Sequence, residues 1–155
     1  QGRMFTYELA TGEIKEINTG FAIDCNNDHV LSPDNTQLAS SHFKNKDATS
    51  RIYILPLAGG TPTLVTEKGP SYLHGWSPDG ERIAFLRLQS DNGQTATVVS
   101  VAAADGSGVR EVARVPGGMR APRWSPDGGT IAMVAAAEVL TIANRARSAL
   151  GEITR

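Results

Sequence analysis

Tyr72-Leu73-His74-Gly75-Trp76-Ser77-Pro78-Asp79-Gly80 runs directly into Glu81-Arg82-Ile83-Ala84-Phe85-Leu86-Arg87, and this stretch decides the fold. Apolar and polar residues alternate on both sides of the central Ser-Pro-Asp-Gly, the period of two that a half-buried strand requires. Pro presets the first corner of a tight turn, Asp accepts backbone N–H groups, and Gly supplies positive φ. The unit therefore reads as strand, tight turn, strand. Ser-Pro-Asp recurs at Ser32-Pro33-Asp34 and Ser125-Pro126-Asp127, so successive turn aspartates stand 45 and 48 residues apart. Asp34, Asp79 and Asp127 are accordingly read as turn formers rather than as acids or metal ligands.

A repeat of 45 to 48 residues is the length of one four-stranded β-propeller blade. The fold class is all-β, with about three propeller blades in the chain, half of a six-bladed ring. The blade at 71–116 is complete: after the two strands above come a polar loop from Gln89 to Gln94, a third strand from Ala96 to Val101, an Asp105-to-Gly108 turn and a fourth strand from Arg110 to Val115. The blade at 26–68 repeats the plan, ending Arg51 to Leu57, Gly59-Gly60 and Thr63 to Glu67; Pro56 has no N–H to give a ladder, so it belongs at an unpaired position. Residues 4–18 match only third and fourth strands, an outer half blade. Residues 119–135 match first and second strands, an inner half blade. The tail at 136–155 suits a strand or a helix equally well.

Propellers close with four to eight blades, so two blades and two halves leave open flanks. Each flank would expose on the order of 500 Å² of apolar surface, worth roughly 12 kcal/mol at ~25 cal/mol per Å². The expectation is a homodimer completing a six-bladed ring, or a piece of a longer propeller. Charge favours head-to-tail contact: residues 1–34 carry Arg3 and Lys15 against Glu8, Glu13, Glu16, Asp24, Asp28 and Asp34, whereas residues 110–155 carry seven arginines against Glu111, Asp127, Glu138 and Glu152. The first residue is Gln1, with no charged-then-apolar leader, so the sequence is expected to be processed or cut from something longer.

Composition narrows the partners. With 40% apolar and 20% charged residues the chain reads as globular, and a net charge of -1 supplies no field to draw in nucleic acid. The apolar runs are too short and too interrupted for membrane insertion. A single cysteine, Cys25, cannot form an internal disulfide and is assigned to packing. There is no Gly-x-Ser-x-Gly, His-Glu-x-x-His, phosphate loop or dinucleotide fingerprint, so a self-contained hydrolase is not expected.

Trp76-Ser77-Pro78-Asp79-Gly80, followed by Ile83-Ala84-Phe85, together with Ile52-Tyr53-Ile54 and Gly59-Gly60, resembles the repeat of the TolB-like propellers over residues 4 to about 134. The resemblance implies a periplasmic or secreted, non-catalytic scaffold that binds a protein or peptide at the mouth of the propeller channel, with no cofactor. The same blade motif also serves peptidase-associated and lyase-like propellers, which implies the alternative of a divalent transition metal. The chain departs from the pattern at Asn35, where the turn usually has Gly, and at Leu31, where the other copies have Trp.

The candidate site follows from the strand phase. Five residues before each turn aspartate stand His29, His74 and Pro122, at the start of successive inner strands and so near the channel mouth. His42, ending a second strand, is expected on the same side. Asp28, His29, Tyr72, His74 and Arg120 are the candidate ligand-binding residues. His29 and His74 are the candidate metal ligands of the alternative reading, with plain hydrogen-bonding histidines as the simpler one. Trp76 and Trp124 are assigned to packing between blades, with Leu31 in the equivalent place. Arg120 and Arg123 are left to meet an acidic partner or a neighbouring blade, and the polar loops at 44–47 and 90–93 to contact ligand or solvent.

Overall fold

A computed structural model describes residues 2–43, 49–116, 118–135 and 141–142. They form thirteen strands and no helix. β1 (Phe5–Tyr7) pairs with β2 (Ile14–Glu16) in a two-stranded sheet. β3 (Cys25–Leu31), β4 (Gln37–Phe43), β5 (Ser50–Pro56) and β6 (Thr63–Leu64) follow in sequence order as a four-stranded sheet. β7 (Ser71–Trp76), β8 (Arg82–Asp91), β9 (Gln94–Ala103) and β10 (Arg110–Pro116) form the next, and β11 (Met119–Trp124) and β12 (Ile131–Ala135) a final pair. All pairings are antiparallel. The all-β sheets are consistent with the propeller blades that the repeat predicts.

The core lies between the sheets. Met4 and Ile17, flanking the first pair, pack with Leu38 and Leu55 of the first blade. Ile52, Ile54 and Val65 of that blade meet Leu73, Ile83 and Phe85 of the second. Leu86, Val99, Ala113 and Val115 of the second blade take Met133 of β12. A blade sandwiched on both faces loses the in-out alternation of a two-layer sheet, and β9 is accordingly buried at every residue from Thr97 to Ala102. Cys25 is half-buried beside the first of these clusters, where burial pushes its thiol pKa up, in keeping with a packing role.

The three Ser-Pro-Asp turns share one hydrogen-bond scheme. The serine hydroxyl donates to the aspartate, at 2.5 Å in the first and third copies, and the Ser77–Asp79 pair matches them. The same serine oxygen accepts the backbone N–H of Gln37, Arg82 or Thr130 at 2.9 Å. The aspartate in turn accepts the N–H of Thr36, Glu81 or Gly129. Position four has φ of +58° at Asn35, +73° at Gly80 and +68° at Gly128. Asn is the side chain that best tolerates this left-handed conformation, which explains how Asn35 stands in for Gly.

These bonds favour the ionised carboxylates. The Ser77 hydroxyl, then the Glu81 N–H and the Arg82 guanidinium, bring Asp79 down to about 2, and Asp34 and Asp127 are lowered by the equivalent serine and backbone donors. An aspartate whose folded pKa lies below the ordinary value near ~3.9 stabilises the fold above that value and loses this contribution as pH falls through its folded pKa. We therefore expect the melting temperature to drop between pH ~4 and pH ~2. The Asp79 carboxyl carbon, followed by NMR, should titrate near pH 2; a midpoint near that of a free aspartate would contradict the turn assignment.

The structure departs from the sequence expectations in three places. The polar stretch from Gln89 to Gln94 is not a loop: β8 and β9 stay paired to Asp91 and Gln94, and only Asn92 and Gly93, with φ of +48° and +78°, make the turn. Asn-Gly is the dipeptide best suited to such a two-residue hairpin. Second, Leu31 does not fill an inter-blade space as Trp76 does but is 43% exposed. Third, Thr141–Ile142 forms β13 on the outer edge of β10, pairing with Arg114 and Ala113, so this part of the tail is a strand of the second blade's sheet. The remainder of 136–155 and the 44–47 loop lie outside the described residues. Pro56 sits as expected, at the last residue of β5 and exposed.

Candidate ligand cleft

The inner strands β3, β7 and β11 lie side by side, and each is bulged at the same place. The register shifts between Cys25 and His29 in β3, between Leu73 and Gly75 in β7, and between Arg120 and Arg123 in β11. A bulge leaves residues unpaired and re-aims their side chains. In β3 the Asn26 side chain holds the bulge by accepting the Asp28 N–H at 2.8 Å. Between the three strands opens a cleft of about 630 Å³, lined among others by Asp28, His29, His74, Trp76, Arg123 and Trp124.

The indoles tie the blades together beneath it. Trp76 Nε1 donates to the Val30 carbonyl at 3.2 Å, and Trp124 Nε1 to the Gly75 carbonyl at 3.4 Å. Val30 and Gly75 each precede the position equivalent to the donor's own, so one contact is used twice. Arg123 Nη1 donates to the His74 carbonyl at 2.8 Å, a third bond from one inner strand to the one before it. Arg82 lays its guanidinium over the Trp124 ring, 4.9 Å from the centroid, where the ring's negative face attracts it.

Electrostatically the cleft is mixed. Burial raises the Asp28 pKa, opposed by the nearby His74 and, less, by the Asn26 bond and His29. Burial lowers the His74 pKa; Asp28 opposes this and Arg123 adds to it. Near neutral pH the cleft thus presents a carboxylate, a neutral imidazole and a guanidinium beside two indoles. A lowered histidine pKa means that the fold prefers the neutral ring, so stability is lost as pH falls below the unfolded value near ~6.5. Asp28→Asn removes the influence that holds the His74 pKa up. The His74 pKa should therefore fall further in an imidazole NMR titration, and an unchanged value would show that the two groups are not neighbours.

Of the expected site residues, the fold brings Asp28, His29 and His74 together. Tyr72 is not with them: it packs on the Leu86–Val115 cluster. Arg120 lies in β11 opposite Val134. His42 also departs from the expected face. It is buried against Phe21 and Tyr53, with ring centroids 6.0 and 5.7 Å away, because its strand position turns it between blade faces instead of into the cleft. Arg123, read from the sequence as meeting either an acidic partner or a neighbouring blade, lines the cleft and bonds to the neighbouring inner strand. Among the described residues no group of three or more His, Cys, Asp and Glu is arranged to hold a metal ion.

An all-β stack of antiparallel blades with bulged inner strands facing a cleft is a run of β-propeller, and the comparisons give it a TolB-like fold. No family model matches the chain. A solved structure from Agrobacterium tumefaciens, provisionally described as TolB, superposes with a TM-score of 0.73 at 33% identity, covering 85% of this chain and 50% of that one. An uncharacterized protein of Agrobacterium fabrum is 39% identical over 129 residues, 83% of this chain and 42% of its own length. The uncharacterized peptidase YuxL of Bacillus subtilis is 33% identical over 109 residues, 67% of this chain and 16% of its own length. The chain thus spans half or less of each of these proteins.

Proposed function

We propose that this run of TolB-like blades is a non-catalytic binding scaffold that takes a protein or peptide segment across the cleft between β3, β7 and β11, in a periplasmic or secreted setting like that of the TolB family. One observation carries the reading: Asp28, His74 and Arg123, brought from three different blades, stand beside the indoles of Trp76 and Trp124 in one cleft. A carboxylate, a guanidinium and two indoles in one cleft match the alternating donors, acceptors and side chains of an extended peptide. The test is selection of randomised displayed peptides on the purified chain, followed by binding to Asp28→Lys and Arg123→Glu variants. Selected peptides should bind the variants roughly tenfold more weakly. Peptides that bind all three proteins equally, or no enrichment at all, would overturn the reading.

A second reading draws on the likeness to YuxL: the blades would be the propeller portion of a peptidase, guarding a catalytic unit that these residues do not supply. It shares the cleft but predicts that selected peptides resemble substrates of such an enzyme. The histidine–metal alternative would rest on His29 and His74 with Asp28. Given the ligand geometry of the described residues, we expect no change in melting on adding manganese or zinc, and an upward shift of several degrees would restore that alternative.

A further inference from the structure

We infer that the groove between the two complete blades, along the outer edge of β6, docks an extended segment of another protein that carries an acidic, an apolar and a basic residue in that order. This surface is separate from the cleft between β3, β7 and β11. It has a volume of about 280 Å³ and is lined by residues 64–68, Phe85, Arg87, Asp105, Gly106 and Val109. That is close to the lower bound of ligand pockets, about 300 Å³, so it suits one or two anchoring side chains of a longer segment.

Strand register gives the groove two unlike ends. Arg87 pairs with Ser71, and the Ser71 hydroxyl donates to the Lys68 carbonyl at 2.7 Å, so Lys68 and Arg87 share one end. Asp105 follows β9, whose Ala103 pairs with Arg82 at the far end of β8. Its neighbour Gly106 stands so close to the outer segment that a Cβ there would lie 2.7 Å from the Val65 carbonyl oxygen, which sets the Asp105 turn at the other end. Phe85, two residues from Arg87 and on the same face of β8, is the buried floor between them. With Glu67 beside Lys68, one end carries two cations against one carboxylate. The other carries Asp105, whose carboxyl the Ser107 side chain and N–H hold below the usual range. Among the described residues neither Lys68 nor Arg87 is in an ion pair.

The main chain supplies a second reason for an extended occupant. β6 is the last strand of its sheet among the described residues. The Val65 N–H bonds to the Ile52 carbonyl of β5, so by strand alternation Leu64 turns its own N–H and C=O to the open side. In the second blade the equivalent outer strand, β10, receives β13 on that edge, so an extended segment fits the outer edge of a blade in this fold. Leu64 and Val109 on the rim are 40% and 46% exposed and would cover an apolar side chain set over Phe85. A segment added antiparallel, as in every pairing of this sheet, would enter at Lys68 and Arg87 and leave at Asp105. That direction fixes the order acidic, apolar, basic. From Val65 to Lys68 an extended chain covers about 10 Å, the reach of three to four residues.

The probe is a capped, fluorescent heptapeptide, Thr-Asp-Val-Leu-Val-Lys-Thr, measured by anisotropy against its charge-reversed twin, Thr-Lys-Val-Leu-Val-Asp-Thr. The first should bind roughly tenfold more tightly than the twin. Lys68→Gln combined with Arg87→Gln should remove that preference, and so should Asp105→Asn, which keeps the oxygen that accepts the Ser107 N–H at 2.8 Å. Circular dichroism checks that each variant is folded. Asp28→Lys, in the cleft, should leave the affinity unchanged, which separates this site from the cleft. No saturable binding, equal affinity for the two peptides, a preference that survives in the folded variants, or loss of binding in Asp28→Lys would each overturn the proposal.

Discussion

Replacing Phe85 with alanine is expected to cost about 3–5 kcal/mol, the largest loss of any single substitution considered for this chain. Phe85 is fully buried in the cluster between the two complete blades. It sits in β8, which is hydrogen-bonded on one side to β7 and on the other to β9. A central strand held on both edges cannot collapse into the void, so most of the ring's volume would remain as a cavity. For a domain whose whole stability is on the order of 5–15 kcal/mol, this is a large share. Urea denaturation should show a lower midpoint with an unchanged slope, and the melting temperature should fall by roughly 10 °C. A loss under about 1 kcal/mol would mean that the two blades are not packed on one another as described.

Trp76→Leu is expected to cost about 2–4 kcal/mol, through two separable effects. The indole fills the same cluster as Phe85, and its Nε1 is the donor to the Val30 carbonyl of the preceding inner strand. Leucine is smaller and cannot donate, so it leaves both a void and a carbonyl without its indole partner. Leucine nonetheless stands at the equivalent position 31, where it is 43% exposed and has no such duty. The contrast makes the substitution informative: the same residue is tolerated at one copy and costly at the next. Because Trp76 and Phe85 line one cluster, the double variant should lose less than the two single losses added together. Full additivity would place them in separate environments.

The same cluster bears on the cleft. Trp76 is both a blade-to-blade wedge and part of the cleft floor, so binding measured on its variants would confound packing with recognition. Asp28 and Arg123, which are not part of the buried clusters, are the cleaner probes. The Asp28–His74 pair would also make the proposed peptide binding pH-sensitive, since protonation of His74 would set a second cation beside Arg123.

Turn chemistry was legible because it is local. Ser77, Asp79, Gly80 and Arg82 exchange their hydrogen bonds within five residues, so three copies of Ser-Pro-Asp suffice to predict three hairpins and, from their spacing, the blades. The Asn92-Gly93 hairpin was equally local and could have been read from its dipeptide; the polar residues around it masked two extended strands. His29 and His74 were found because repeat phase carries position from one copy to the next.

What the sequence by itself determined is therefore the blade: the order of its strands, its Ser-Pro-Asp turns, and the two histidines that share a phase. What only the tertiary structure decided is how blades meet. Trp76 reaches Val30 across 46 residues, and Arg123 and Trp124 reach His74 and Gly75 across 49. Which side of a strand faces a neighbouring blade, and which faces the cleft, depends on bulges in the inner strands. No short-range pattern announces those bulges. That is why Arg123 was missed as a cleft residue, while Tyr72 and His42, placed by strand phase alone, turned out to be packing groups.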